Sequence, residues 1–219
     1  MIDLHNICKN FGNRVVLKNI NFSVGEGDIV SIMGKSGSGK TTLLNILGFL
    51  DAPTSGIYFF NGKPVLNNYQ RNLIRNEYMG FVFQSYNLIP KLTVYENIAL
   101  PIYYSIHSSK IKERIKNISV LIEQFHLNSI ANSKVEYISG GEKQRVCLAR
   151  ALVCDAKLII SDEPTGNLDD VNTRIVLNEL KRINSEGKTV IIVTHDKLVE
   201  NIATKKFLIE SGKLERYDG

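Results

Sequence analysis

With 219 residues, 43% of them hydrophobic and 22% charged, the chain is long enough for one large α/β unit and too apolar for disorder. The formal net charge of +5 and a pI near 9.0 admit an anionic partner such as nucleotide, nucleic acid or lipid. The basic residues are scattered rather than blocked, however, which also reads as a solvated Lys-rich surface.

Residues 2–7 and 14–24 alternate or run apolar and predict two strands, with the turn-like stretch KNFGN between them. Residues 29–34 (IVSIMG) form a buried strand, bounded by Gly25–Asp28 and by a glycine-rich loop. Residues 42–50 predict a helix. GIYFFNGKPV carries a strand and then Asn61-Gly62, a hairpin turn signal. Residues 78–84 predict another strand.

Pro90 and Pro101 then punctuate a region of different character. Ile111, Ile115, Ile118, Ile122 and Phe125 fall on one face of a helix. From residue 138 an α/β rhythm returns: helix 142–153, strand 157–161, helix 170–185, strand 188–194, helix 196–202 and a final strand 205–210. The expected organisation is a single domain over 1–219. Its α/β core spans 1–85 and 137–219, and a helical subdomain is inserted at about 86–136.

Cys8, Cys147 and Cys154 show no metal-ligand spacing and read as free thiols of a reducing compartment. The N-terminus has no signal-type apolar stretch. No run approaches the ~20 apolar residues that cross a bilayer. The expected location is cytosolic, with a membrane reached only through a partner.

Three motifs carry chemistry. Gly34-Lys35-Ser36-Gly37-Ser38-Gly39-Lys40-Thr41, followed by Thr42, is G-x-x-x-x-G-K-[ST] between a strand and a helix. Such a loop turns backbone N–H groups and a helix N-terminus onto the phosphates of ATP. Lys40 reaches the β- and γ-phosphates, and Thr41 ligates Mg²⁺. Leu158–Ser161 is an apolar strand ending in Asp162 and Glu163. That places Asp162 to hold Mg²⁺ through water and Glu163 to polarise an attacking water. Ser139-Gly140-Gly141-Glu142 opens a helix, with Ser139 as its cap and two glycines leaving the N-terminus open to an anion.

In this order the motifs resemble the ATP-binding cassette (ABC) family over essentially the whole chain. The matching series is the phosphate loop, Gln84 after a strand, Ser139-Gly140-Gly141 with KQRVCLARAL, Asp162-Glu163, Asn167-Leu168-Asp169, and His195 after a strand. The resemblance implies a P-loop NTPase core of ABC type: a mixed sheet with helices, an N-terminal antiparallel β subdomain and an inserted α-helical subdomain. It implies that Gln84 touches Mg²⁺ and the attacking water. His195 contacts the γ-phosphate, and Phe11 stacks on adenine with Val16 beside it. Ser139, Gly140 and Gly141, with Glu142, bind the γ-phosphate of an opposite subunit, and Asp169 lies at the dimer seam. Two copies then sandwich two ATP molecules. Glu142 departs from the family's commoner Gln and Phe11 from its commoner Tyr.

Gly80–Gln84, Asn87–Pro90, Thr93–Asn97, Leu50–Gly56 and Pro164–Asp169 are similar to the lipoprotein-release, macrolide-export and cell-division branch. That branch implies an ATP-hydrolysing subunit of a membrane transporter, with Tyr86, Asn87, Leu88, Ile89 and Tyr95 as candidates for docking a permease. The alternative is a non-transport ATPase that drives a membrane mechanotransmission partner. DNA-repair and translation members carry a coiled-coil insert or two cassettes. Neither is present, and direct nucleic-acid binding has no motif behind it.

Overall fold

The computed structural model describes residues 1–105 and 110–217. In chain order they form β1 (Ile2–Phe11), β2 (Arg14–Val24), β3 (Ile29–Met33), α1 (Lys40–Leu47), β4 (Ser55–Phe60), β5 (Lys63–Pro64), α2 (Asn68–Tyr78) and β6 (Met79–Phe83). These are followed by α3 (Val94–Tyr103), α4 (Ile111–Gln124), α5 (Gly140–Leu152), β7 (Leu158–Asp162), α6 (Asp170–Ser185), β8 (Thr189–Thr194), β9 (Lys205–Glu210) and β10 (Lys213–Tyr217).

Two sheets result. One is antiparallel in the order β2-β1-β4-β5; the other runs β10-β9-β3-β8-β7-β6. In the second, β9, β3, β8, β7 and β6 are parallel and β10 closes the edge as an antiparallel hairpin strand. This is the mixed sheet and N-terminal antiparallel sheet that the sequence implies.

The central strands show why the layers stack. Successive side chains of a strand face opposite ways, so β8 gives Val190 and Ile192 to one core and Ile191 and Val193 to the other. The first core gathers α3, α4, α5 and α6 on one face of the mixed sheet. The second packs α1 between that sheet and the antiparallel one, through Leu43, Leu44, Ile46 and Leu47. The isoleucine face expected from residue 111 onward forms α4. Ile118 and Ile122 are buried there, whereas Ile115 is 45% exposed.

Four local readings change. α2 was not expected: its sequence is mostly polar, and of its few apolar residues Ile74 and Tyr78 pack half-buried against the second core, while a capping box between Asn67 and Gln70 fixes its start. Pro101 does not break the chain but sits in the last turn of α3, where it costs a single backbone bond. The expected helix 196–202 is a 3₁₀ segment, Lys197–Asn201, capped by Asp196. β10 was missed because its turn, Ser211-Gly212, is a weak signal. Both turn residues have positive φ, like Asn61 and Gly62 in the hairpin that was expected.

Candidate active site

The site is built by strand register. Met33 pairs with Thr194, Asp162 with Val193, and Phe83 with Asp162. The parallel strands therefore end at one carboxyl edge. The residues just beyond them, Gly34, Gln84, Glu163 and His195, converge there, as the topology of open α/β sheets requires.

The loop 34–39 curls over the start of α1. At Gly34 any β-carbon would lie 2.5 Å from the Ile209 carbonyl oxygen, so backbone approach alone demands glycine. Gly39 caps α1 at φ 111°, a conformation closed to other residues. No side chain caps this helix and no acidic residue occupies its first turn. Its N–H groups and positive dipole end are left for an anion. Lys40 Nζ reaches across the loop to the Gly34 carbonyl at 2.6 Å and the Lys35 carbonyl at 3.1 Å. The Ser38 hydroxyl is buried without a hydrogen-bond partner.

Glu163 has φ 46° and donates its N–H to the Val193 carbonyl. That strained turn swings its carboxylate back over β8. Oε2 accepts from the Thr194 hydroxyl at 2.8 Å and from the His195 N–H at 3.2 Å, while Oε1 meets His195 Nδ1 at 2.8 Å. An ionised carboxylate accepts only, so this bond sets the proton on Nδ1. Asp162 is half-buried. Burial pushes its pKa up and Glu163 pushes it further, while Lys40 opposes both.

A cavity of about 820 Å³ unites these groups. Its lining contains Gly34, Lys35, Ser36, Gly37, Gly39, Lys40, Thr41, Thr42, Gln84, Asp162, Glu163 and His195, together with Phe11 and Val16. Ser38, its hydroxyl buried, does not line it. Lys9 stands over one face of the Phe11 ring, 4.9 Å from its centroid, and the ring is 53% exposed. Arg14 also lines the cavity and was missed. It lies in the turn-flanking FGNR stretch, where residue type alone carries no signal.

Ser139, Gly140, Gly141 and Glu142 do not line this cavity. They form the N-terminus of α5 as a capping box. The Ser139 N–H and hydroxyl both donate to Glu142 Oε2 at 2.7 Å, and the Glu142 N–H returns to Ser139 Oγ. Glu142, the departure noted in the sequence, is thus the cap's acceptor.

The ABC transporter family model matches residues 17–166. The chain belongs to the ABC transporter family. It is 44% identical, over 98% of its length, to the macrolide export ATP-binding/permease protein MacB of Campylobacter jejuni, of which it spans 33%. It is 42% identical to the uncharacterized ABC transporter ATP-binding protein YvrO of Bacillus subtilis, covering 98% of this chain and 95% of that one. Among solved structures, a dimeric post-hydrolysis state of the ATP-binding cassette MJ0796 bound to ADP and phosphate superimposes with a TM-score of 0.85. It is 36% identical, and both chains are covered completely. The chain therefore has the fold of an ABC ATP-binding cassette. It spans about a third of the length of the macrolide-export relatives. Among the described residues no helix is long and apolar enough to cross a membrane.

Proposed function

We propose that this chain is the ATP-hydrolysing subunit of a membrane ABC transporter, of an exporter type that handles peptides, lipoproteins or antimicrobials. It works as a head-to-tail pair of copies at the cytoplasmic face of a membrane. The observation that carries the reading is the split between two parts of one site. The phosphate loop and the Glu163–His195 pair share a cavity, while the N-terminus of α5, which the sequence led us to expect open and which Ser139 and Glu142 instead cap, stands outside it. A second copy, related by a twofold axis, would bring its own Ser139–Gly141 to this cavity and complete it.

In the proposed reaction the first-turn N–H groups of α1 and the Lys40 ammonium hold the β- and γ-phosphates. Lys40 exchanges its loop carbonyls for phosphate oxygens. Phe11 offers its exposed face to adenine, with Val16 at the ring edge. Glu163 orients the attacking water and accepts its proton, and His195 fixes Glu163 and meets the γ-phosphate. Charge developing on the γ-oxygens falls to Lys40 and the loop N–H groups, preorganised before the reaction begins.

The residues present fit Mg²⁺. Among the described residues no group of three His, Cys, Asp or Glu side chains could hold a metal alone. A hydroxyl, an amide and one carboxylate, from Thr41, Gln84 and Asp162, are the hard oxygen donors that such an ion takes together with phosphate and water. When bound, the ion neutralises phosphate charge.

A second concavity of about 400 Å³, lined by Leu50, Phe81, Phe83, Asn87, Pro101 and Arg150, is the proposed seat for a permease segment. Of the five candidates from the sequence, Asn87 lines it. Tyr86 and Leu88 pack against the core, and Ile89 and Tyr95 are exposed. The permease fused to the ATP-binding part in the macrolide-export relatives supports such a partner. The segment 86–136 is proposed as the subdomain that presents this surface.

The test is phosphate release per chain as a function of chain concentration. A rate that rises with concentration before levelling is expected of a site completed by two copies. A rate independent of concentration, with the chain monomeric throughout, would refute the reading.

A further inference from the structure

The loop after Gln84 is held in an unusual shape. Tyr86 and Asn87 both have left-handed backbone conformations, φ 61° and 47°. Asparagine tolerates this region but tyrosine does not, so at Tyr86 the shape calls for contacts that hold it.

The constraint is α5. Arg150 donates from Nη2 to the Tyr86 carbonyl at 2.7 Å and from Nη1 to the Asn87 carbonyl at 2.5 Å. Cys147, one turn earlier, donates its thiol to the same Tyr86 carbonyl at 3.2 Å. Burial pushes this thiol's pKa up to about 12, so it remains a donor. The Tyr86 side chain reaches the other end of the helix: a β-carbon on Gly140 would lie 3.2 Å from its hydroxyl. α5 therefore touches this short loop from its last turns to its first residue. On the loop's other side, Asn167 donates to the Gln84 carbonyl at 3.2 Å, and the Gln84 amide rests against Gly166.

We infer that Arg150 is a positioning residue that locks the Gln84–Asn87 loop onto the helix carrying Ser139–Gly141. Engagement of that helix by a second copy's nucleotide and placement of Gln84 in this copy's own cavity then become one movement. The inference rests on the proposed ATP-driven pair. The guanidinium suits the task because its planar fork spans two carbonyls, whereas an ammonium is a single point.

The test compares the full chain with Arg150→Lys, Arg150→Met, Gln84→Ala and the Gln84→Ala/Arg150→Met double variant. Titration with a fluorescent ATP analogue is expected to agree with the unsubstituted chain within about twofold for both Arg150 variants, since the phosphate loop is untouched. The kcat is expected to fall by about tenfold or more, less for Lys than for Met. The double variant is expected to be no slower than Gln84→Ala alone, because the two residues act in series. A kcat within about twofold of the unsubstituted chain, or losses that multiply in the double variant, would overturn the inference while leaving the ATPase reading intact. If Arg150→Met does not fold, the same cycle run with Arg150→Lys decides. An unsubstituted chain without turnover overturns both.

Discussion

Glu163 and His195 are joined by a 2.8 Å contact between Oε1 and Nδ1, and the two residues differ sharply in exposure: the Glu163 side chain is 11% exposed and the His195 ring 69%. The carboxylate is thus anchored from within the fold while its imidazole partner stands at the open edge. Thr194 and the His195 N–H fix the other oxygen, so loss of the ring would free only one side of the carboxylate. His195→Ala is expected to lower kcat by roughly 10²–10⁴ while leaving nucleotide affinity much closer to that of the unsubstituted chain. Steady-state phosphate release together with equilibrium nucleotide titration separates the two effects.

Lys40 lies across its own loop, tied to the Gly34 and Lys35 carbonyls. In the proposed reaction the ammonium exchanges these two carbonyls for phosphate oxygens. Lys40→Ala is expected to cost about 10²-fold or more in kcat/KM, in line with the loss of one preorganised charge at a developing anion. The circular dichroism spectrum is expected to remain that of the unsubstituted chain.

Asn97 is fully buried in α3 and serves the loop before it. Its Oδ1 accepts from the Ile89 N–H, and its Nδ2 donates to the carbonyls of Ile89, Leu92 and Thr93. Replacement by alanine strands a buried donor and acceptors. Asn97→Ala is expected to lower stability by about 2–4 kcal/mol, read as a shift in urea midpoint with little change in slope.

Glu142 makes a pH-dependent contribution. Hydrogen bonds from the Ser139 N–H and hydroxyl hold its pKa below the ordinary glutamate value, against a smaller upward push from burial. A depressed folded-state pKa means stability that is present above the unfolded value and lost as pH falls through the folded one. Glu142→Gln keeps an acceptor for Ser139 but cannot titrate. The melting-temperature advantage of the unsubstituted chain over this variant is expected to shrink as pH drops below about 4. An advantage that grows on acidification would contradict the assignment.

The chemistry was legible in the sequence wherever residue type and backbone demand coincide. The glycines of the 34–39 loop and the carboxylates after a run of buried aliphatics mark positions by residue type and context, whereas the histidine at a strand end gained its expected role only from the family resemblance. Parallel strand register then brought them together without further information. Other features depended on packing that periodicity cannot encode. α2 is mostly polar and touches the core only through half-buried residues such as Ile74 and Tyr78, and β10 owes its place to pairing with β9. Arg14 and Arg150 look like any other surface cations until the fold sets one at the cavity rim and the other on the carbonyls of Tyr86 and Asn87. Tyr86, a docking candidate from its sequence context, also has its hydroxyl close to Gly140 at the start of α5, a contact that sequence spacing does not show.

The central claim is that this chain holds half of a site and closes on a second copy through ATP. The most direct measurement is the solution mass of Glu163→Gln with and without ATP and Mg²⁺. Without a functional base the nucleotide that bridges the copies is not consumed. Twice the 24.6 kDa chain mass in the presence of ATP, reverting to a single chain when ADP replaces it, is the predicted result. A variant that stays monomeric at saturating ATP, or that still turns over at the unsubstituted rate, would contradict the account.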